Sequence, residues 1–137
     1  MAGSSEQQTL PGLLAVDDEP GVISSLKEIF ENDYQFSSAG TASAALQALE
    51  KHDIPVAIID LSLPDMPGLE LIKKIKELSP DLEYVVLTAN TSLASGVEAM
   101  KSGAYDYIVK PFDLEHISLV IKNALTKSRL WQEVRYR

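Results

Sequence analysis

Acidic, hydroxyl and basic side chains follow directly after short apolar segments of this chain. The segment "LLAV" runs into Asp17, Asp18 and Glu19, and the segment "VAII" ends at Asp60. Three carboxylates gathered in one place cannot all ionise cheaply unless a cation shares the site, because like charges repel. Mg²⁺ suits such a site, since it binds carboxylate oxygens, keeps several waters and accepts phosphate oxygens. These residue types therefore indicate a site for a divalent cation.

The segments that carry these residues alternate between two periodic patterns. Short runs of apolar and β-branched residues predict five strands, near residues 13–16, 34–38, 55–60, 83–88 and 106–110. Apolar residues at helical spacing predict five helices, near residues 21–31, 41–53, 71–78, 92–102 and from about 113 onward. This alternation predicts an α/β fold with a parallel sheet, helices on both faces and right-handed crossovers.

The chemically capable residues all stand at predicted carboxyl ends of strands, where ligands bind in open parallel sheets. They are Asp17 and Asp18 after the first strand, Asp60 at the third, Thr88 at the fourth and Lys110 at the fifth. Taken singly, each has an ordinary structural explanation. Asp18 could cap a helix, Asp60 could belong to a turn and Lys110 could be a solvated surface charge. Their joint occurrence on four strands favours one shared site.

This combination resembles the receiver domain of the two-component response-regulator family, over about residues 13–125. The motifs that carry the resemblance are "VDDEP", "IIDLSLPDMPG", "LTAN" and "YDYIVKPF", in that order. The resemblance implies a flavodoxin-like three-layer sandwich, with a five-stranded parallel sheet of order 2-1-3-4-5 and five helices. We expect a flexible lead-in over residues 1–11, a receiver domain over 12–126 and an extension of the last helix over 127–137.

The resemblance also implies a phosphorylation site and a magnesium site. Asp60 would be the nucleophile that attacks the phosphorus of a phosphohistidine and forms an acyl phosphate. Asp18, Asp60 and the backbone carbonyl of Ser62 would bind Mg²⁺ directly, and Asp17 directly or through water. Glu19 is expected to be a solvated acid at the start of a helix and not a metal ligand.

Further residues would bind the phosphoryl group and transmit its presence. Lys110 would pair with one phosphoryl oxygen and Thr88 would donate a hydrogen bond to another, with a cis Pro111 aiming Lys110 inward. Drawing Thr88 towards the phosphoryl group would let the ring of Tyr107 swing in, which would change the surface of the fourth helix and fifth strand. Asn90 stands at a position that varies across the family and tunes the lifetime of the phosphoryl group.

Composition narrows the possible partners. The net charge of −8 argues against direct nucleic-acid binding by this segment. The absence of cysteine excludes disulfides and thiolate metal sites. The apolar runs are too short to cross a bilayer, and the first dozen residues do not form a secretory signal. We therefore expect a cytoplasmic protein whose phosphoryl donor is a sensor histidine kinase or a histidine phosphotransfer protein.

The apolar pattern of the last helix continues through Leu130, Trp131 and Val134, past the point where five strands are covered. This stripe either caps the fold or, as we favour, leads towards a C-terminal effector domain or a homodimer contact. The expected output is control of transcription or another effector activity.

Three alternative functions are open to the sequence. A phosphorylation-independent binding module would normally lack one of the acids or Lys110, and none is missing. An aspartyl-phosphate phosphatase of the haloacid dehalogenase type would carry a DxD motif, whereas Asp17 and Asp18 are adjacent. A flavin-binding protein would need Ser, Thr and Gly residues after the first strand. We therefore expect no enzyme activity beyond self-directed phosphoryl transfer and autodephosphorylation.

Overall fold

The computed structural model describes residues 9–89 and 93–135, and within the second range it describes side chains from residue 96 onward. Five strands and five helices alternate along these residues. They are β1 (Gly12–Val16), α1 (Pro20–Phe30), β2 (Gln35–Ala39), α2 (Ala42–Lys51), β3 (Val56–Asp60), α3 (Gly68–Leu78), β4 (Glu83–Thr88), α4 (Leu93–Lys101), β5 (Asp106–Val109) and α5 (Leu114–Arg135). The predicted elements are confirmed with shifts at their ends. Asn90 and the first residue predicted for α4, Ser92, lie outside the described residues.

The strands form one parallel sheet in the order β2-β1-β3-β4-β5. This order confirms the predicted flavodoxin-like fold. β1 pairs with β2 on one side and with β3 on the other, so the connections run in opposite directions away from β1. A crevice opens at such a reversal, beyond the carboxyl ends of the strands. The fold therefore places the ends of β1 and β3 at the position where ligands bind.

Two apolar layers cover the sheet. β3 is buried along its whole length, as its β-branched sequence, uncharged until its last residue, predicts. Ala57 and Ile59 face the layer that contains α2, α3 and α4, whereas Val56 and Ile58 face the layer that contains α1 and α5. Because successive residues of a strand point to opposite faces, β3 is fixed from both sides. Asp60 ends this strand, so its backbone is held in place by the same packing.

The helix ends agree with the predictions in two cases and differ in a third. Thr41 caps α2, since its Oγ1 accepts a hydrogen bond from the backbone N–H of Ala44 at 3.1 Å. Gly103 follows α4 with a φ of 105°, a backbone conformation that favours glycine. Asp18 is not the N-cap of α1: Glu19 holds that position, and α1 begins at Pro20. The structural explanation of Asp18 as a cap is therefore wrong.

The last helix runs without interruption across the predicted boundary at residues 126 and 127. The hydroxyl of Ser128 donates a hydrogen bond to the backbone carbonyl of Asp81 at 2.6 Å, and Arg135 Nε donates to Asp81 Oδ1 at 2.7 Å. Trp131 is 46% exposed and Val134 is 63% exposed. The extension thus contacts the loop before β4 on one side and leaves an apolar stripe exposed on the other.

No helix in the described part of the chain combines the length and the apolar character that a bilayer crossing requires.

Replacing Gly68 with alanine is expected to destabilise the domain. A Cβ at this position would lie 2.6 Å from Leu61 Cβ and 2.8 Å from Leu61 Cα, so the loop between β3 and α3 would have to shift. Overpacking of this kind costs about 1–3 kcal/mol of unfolding free energy, which urea titration would measure.

The matched control is Gly21→Ala in α1. Nothing lies within 4 Å of a Cβ built there. Alanine at that helical position is expected to stabilise by up to about 1 kcal/mol. Equal effects of the two substitutions would contradict the steric explanation at Gly68.

Candidate phosphoacceptor site

The ends of three strands bring two acids and one lysine together. Asp17 follows β1, Asp60 ends β3 and Lys110 follows β5. Asp17 is 2% exposed and Asp60 is 5% exposed, although both are acids. Buried carboxylates are rare unless they are paired or bind a cation. This edge of the sheet is therefore built around charge.

Lys110 lies at the centre of the acidic cluster. Its Nζ is 2.9 Å from Asp17 Oδ2, 2.7 Å from Glu19 Oε1 and 3.4 Å from Asp60 Oδ2. The longest of these contacts is the one to Asp60, where the ammonium stands at the outer limit of hydrogen-bonding distance. Three acids and one ammonium leave an excess of negative charge, which favours a divalent cation at this position.

Backbone N–H groups fix the orientation of both buried carboxylates. Asp17 Oδ1 accepts a hydrogen bond from the N–H of Glu19, and Asp60 Oδ1 accepts one from the N–H of Ser62, each at 2.9 Å. The Oδ2 atom of each acid is left on the side of Lys110. Asp17 Oδ2 is close to the Lys110 ammonium, but the contact lacks hydrogen-bond geometry and this buried oxygen has no hydrogen-bond donor among the described residues.

The surroundings change the acidity of the two central groups. Burial raises the pKa of Asp60, the Ser62 N–H opposes this rise, the charge of Asp17 adds to it, and the Lys110 ammonium opposes it. Burial alone would lower the pKa of Lys110, but its contacts with Glu19 and Asp17 and the charge of Asp60 raise it overall. Lys110 is therefore protonated at neutral pH and is available as a positive charge.

The group of acids that could hold a metal ion differs from the predicted set. One carboxylate oxygen from each of Asp17, Glu19 and Asp60 lies within 4.8 Å of the others. Asp18 is exposed and is not in this group. Glu19 is 61% exposed at its side chain, as expected of a solvated acid, yet it pairs with Lys110. The contact was missed because its only signal in the sequence is the run of three acids.

The residues fit a hard divalent cation. All the ligand atoms offered are carboxylate oxygens, which Mg²⁺ prefers. Among the described residues the buried Asp17 Oδ2 has the Lys110 ammonium, at 2.9 Å, as its positive partner, and a bound cation would supply a second one. The backbone of Ser62 is held next to Asp60 by the hydrogen bond to Asp60 Oδ1.

Thr88 and Pro111 are both next to Lys110 in the structure. Thr88 ends β4, and its backbone carbonyl accepts a hydrogen bond from the N–H of Lys110 at 2.7 Å. The peptide bond between Lys110 and Pro111 is cis, which confirms the prediction for Pro111. The end of β4 and the lysine are therefore directly connected through the backbone.

Tyr107 packs against α4 at a glycine. A Cβ at Gly96 would lie 2.6 Å from Tyr107 Cζ and 2.7 Å from its hydroxyl oxygen. The aromatic ring therefore occupies space that any side chain at position 96 would take. A surface cavity of about 410 Å³ adjoins this contact and is lined by Gly96, Val97, Met100, Lys101 and Tyr107.

Comparisons with known proteins agree with this arrangement. The model of the response regulator receiver domain family matches residues 13–122. The transcriptional regulatory protein ZraR of Klebsiella oxytoca is 31% identical over 119 residues, which cover 86% of this chain and 27% of that protein. The chain spans about a fifth to a half of the length of the curated relatives it matches, which are regulators with further domains.

Solved structures of receiver domains show the same fold. The beryllofluoride-activated NtrC4 receiver domain dimer is 38% identical with a TM-score of 0.79, and the match covers 85% of this chain and 97% of that one. The signal receiver domain of an HD domain-containing protein from Pseudomonas fluorescens Pf-5 is 26% identical with a TM-score of 0.85, covering 92% and 94%. Receiver domains are generally signalling modules and not enzymes. The chain belongs to the response regulator receiver domain family.

Proposed function

We propose that this receiver domain takes a phosphoryl group from a phosphohistidine onto Asp60, with Mg²⁺ bound in the same site. The donor would be a sensor histidine kinase or a histidine phosphotransfer protein. The observation that carries the proposal is the buried Asp60 carboxylate, which has one oxygen anchored by Ser62 and the other 3.4 Å from the Lys110 ammonium. The domain would act in the cytoplasm, where such kinases present their phosphohistidine.

The transfer requires one bond to form and one to break. An oxygen of the Asp60 carboxylate attacks phosphorus, and the P–N bond of the phosphohistidine breaks with its electron pair on the imidazole nitrogen. Phosphoryl transfer depends mainly on alignment and on neutralisation of charge. The hydrogen bond from Ser62 to Oδ1 orients Asp60, and Lys110 neutralises an oxygen of the incoming group. The hydroxyl of Thr88 would donate to another phosphoryl oxygen.

The acids of the site would hold the metal ion. Asp17 and Asp60 would bind Mg²⁺ with the backbone carbonyl of Ser62, and either Asp18 or Glu19 would complete the acidic set. When bound, the ion supplies positive charge that neutralises phosphoryl oxygens. Glu19 is the closer candidate by its carboxylate position, and Asp18 is the candidate that the family resemblance implies.

The output would be a change in the surface of α4 and β5. Thr88 and Tyr107 would transmit it, and the Tyr107 ring, which packs on Gly96 of α4, is placed to carry a change from β5 to that helix. The curated relatives are regulators of which this chain matches one part, which supports an effector domain C-terminal to α5. A homodimer is also proposed, because Leu130, Trp131 and Val134 are exposed on α5 and the NtrC4 receiver domain was solved as a dimer.

The test is phosphorylation by a small phosphodonor. We expect the 137-residue chain to gain one phosphoryl mass when it is incubated with acetyl phosphate and Mg²⁺, and to gain none with EDTA. Asp60→Asn should abolish the adduct, whereas Asp53→Asn, a change at an exposed acid before β3, should leave it intact. An adduct that persists in Asp60→Asn would contradict the assignment. Phosphate release from unrelated monoesters without an adduct would favour the phosphatase alternative.

A further inference from the structure

The loop between β3 and α3, residues 61–67, carries a second aspartate that contacts a distant helix. Asp65 Oδ1 accepts a hydrogen bond from the backbone N–H of Ala42 at 2.8 Å, and Oδ2 accepts one from the N–H of Ser43 at 3.1 Å. Ala42 and Ser43 are the first two residues of α2, more than 20 positions earlier in the chain. Both oxygens of this exposed side chain are thus used in a contact between two segments.

Two side chains accept hydrogen bonds from the free N–H groups at the start of α2. The first turn of a helix leaves N–H groups without intrahelical partners. Asp65 accepts from those of Ala42 and Ser43, and Thr41 accepts from that of Ala44. Thr41 belongs to the same turn and acts only on α2. Asp65 belongs to the loop that follows Asp60, so its contact joins the helix to that loop.

The contact of Asp65 with α2 links the two buried acids of the site by a second route. On one side, the hydrogen bond from Ser62 to Asp60 fixes the start of the loop. On the other side, the N–H of Asp17 donates to the carbonyl of Ala39 at 3.0 Å, just before α2 begins. Asp65 joins these two sides. The carboxylates of Asp17 and Asp60 are therefore connected through α2 as well as through the pairing of β1 with β3.

We infer that Asp65 is a positioning residue for the phosphoacceptor site: it holds the loop after β3 on α2 and thereby fixes Ser62 beside Asp60. The inference rests on the proposed function, because it concerns the same site. Its consequence is that Asp65, which is outside the acidic group and has both oxygens bonded to α2, contributes to Mg²⁺ affinity. Outer residues that orient metal ligands act in this way elsewhere.

The experiment compares Asp65→Ala with Thr41→Ala. Each removes a side-chain cap of α2, but only the first releases the loop. By calorimetry, we expect Asp65→Ala to raise the Kd for Mg²⁺ about tenfold, at the low end of the effects of outer-shell residues. Thr41→Ala should leave the Kd within about twofold of the wild type, since it removes a cap alone. Asp65→Asn keeps one acceptor oxygen and should give an intermediate Kd.

Phosphorylation rates give a second readout. With acetyl phosphate, Asp65→Ala should be slow at a Mg²⁺ concentration near the wild-type Kd and should recover the wild-type rate at saturating Mg²⁺. If the loop is displaced, the phosphorylation rate should fall only at low Mg²⁺ concentration. Circular dichroism establishes that each variant is folded, and Asp65→Asn replaces Asp65→Ala if the latter does not fold.

Three outcomes would overturn the inference. Equal shifts in Kd for Asp65→Ala and Thr41→Ala would make Asp65 a helix cap without a role in the site. A wild-type Kd in Asp65→Ala would exclude any contribution. If the wild-type chain itself neither binds Mg²⁺ nor becomes phosphorylated at Asp60, the proposed function fails and the inference fails with it.

Discussion

Replacing Lys110 with alanine is expected to slow phosphorylation of Asp60 by about two orders of magnitude, the scale found when one charge-stabilising donor is removed from an active site. Lys110 Nζ contacts Asp17, Glu19 and Asp60 at once, and its elevated pKa keeps it charged at neutral pH. Without it, the phosphoryl oxygens would lose one of the two cationic groups, Lys110 and Mg²⁺, that neutralise them. The measurement is the rate of acetyl-phosphate labelling at saturating Mg²⁺, followed by intact mass.

Two variants control this experiment. Lys74→Ala removes an exposed lysine from α3, away from the acidic cluster, and should label at the wild-type rate. Lys110→Arg keeps the charge but replaces a compact ammonium by a planar guanidinium, so partial activity is expected. A wild-type rate in Lys110→Ala would contradict the role assigned to the ammonium.

Replacing Asp60 with asparagine is expected to stabilise the metal-free protein. In Mg²⁺, by contrast, the wild type is expected to be more stable than the variant. In EDTA, Asp60→Asn should be more stable than the wild type by about 1 kcal/mol, because it removes one of two neighbouring buried charges. For a domain of this size that gain corresponds to roughly 4 °C in Tm. In Mg²⁺ at 100 times its Kd, the wild type should gain about 2.7 kcal/mol and become the more stable protein.

The pH dependence of the metal-free protein follows from the direction of the same shift. Burial and the charge of Asp17 raise the pKa of folded Asp60 above its ordinary value of 3.8. A group with a raised folded pKa stabilises the fold below its unfolded pKa, and this contribution is lost as pH rises through the folded value. Wild-type stability in EDTA should therefore fall more than that of Asp60→Asn as pH rises from 3.8.

Thermal unfolding by circular dichroism across that pH range checks both expectations. Asp53→Asn makes the same chemical change at an exposed acid and should follow the wild type in EDTA and in Mg²⁺. A metal-free Asp60→Asn that is less stable than the wild type would show that the Asp60 carboxylate stabilises the fold, contrary to the expected repulsion.

The fold was predictable because most of its strands have sequence patterns that can be recognised within a few residues. β3 and β4 have apolar, β-branched interiors that suit burial on both faces, with an acid only at one end of each, and the predicted bounds of β4 are those observed. β2 was predicted one residue too early. It is an edge strand that pairs with β1 alone and has the mixed sequence "QFSSA", so burial constrains its pattern only weakly.

The site was predictable as far as strand ends determine it. Asp17, Asp60 and Lys110 meet because parallel strands end at one edge of the sheet. The contacts of Glu19 and Asp65 depend on how loops fold back, and loop conformation leaves no periodic trace in a sequence. The same reason explains why the position of Asp18, which follows β1 and is exposed, could not be predicted from its spacing to Asp17 alone.

The hydrogen bonds of Ser128 and Arg135 to Asp81 have a mechanical consequence. Two anchors, seven residues apart on one helix, span about 10 Å at 1.5 Å of rise per residue. They fix the direction of the C-terminal part of α5 relative to the loop before β4. Any tilt of α5 against the sheet would therefore rotate the whole C-terminal part of the helix, as far as Arg135, as a rigid rod.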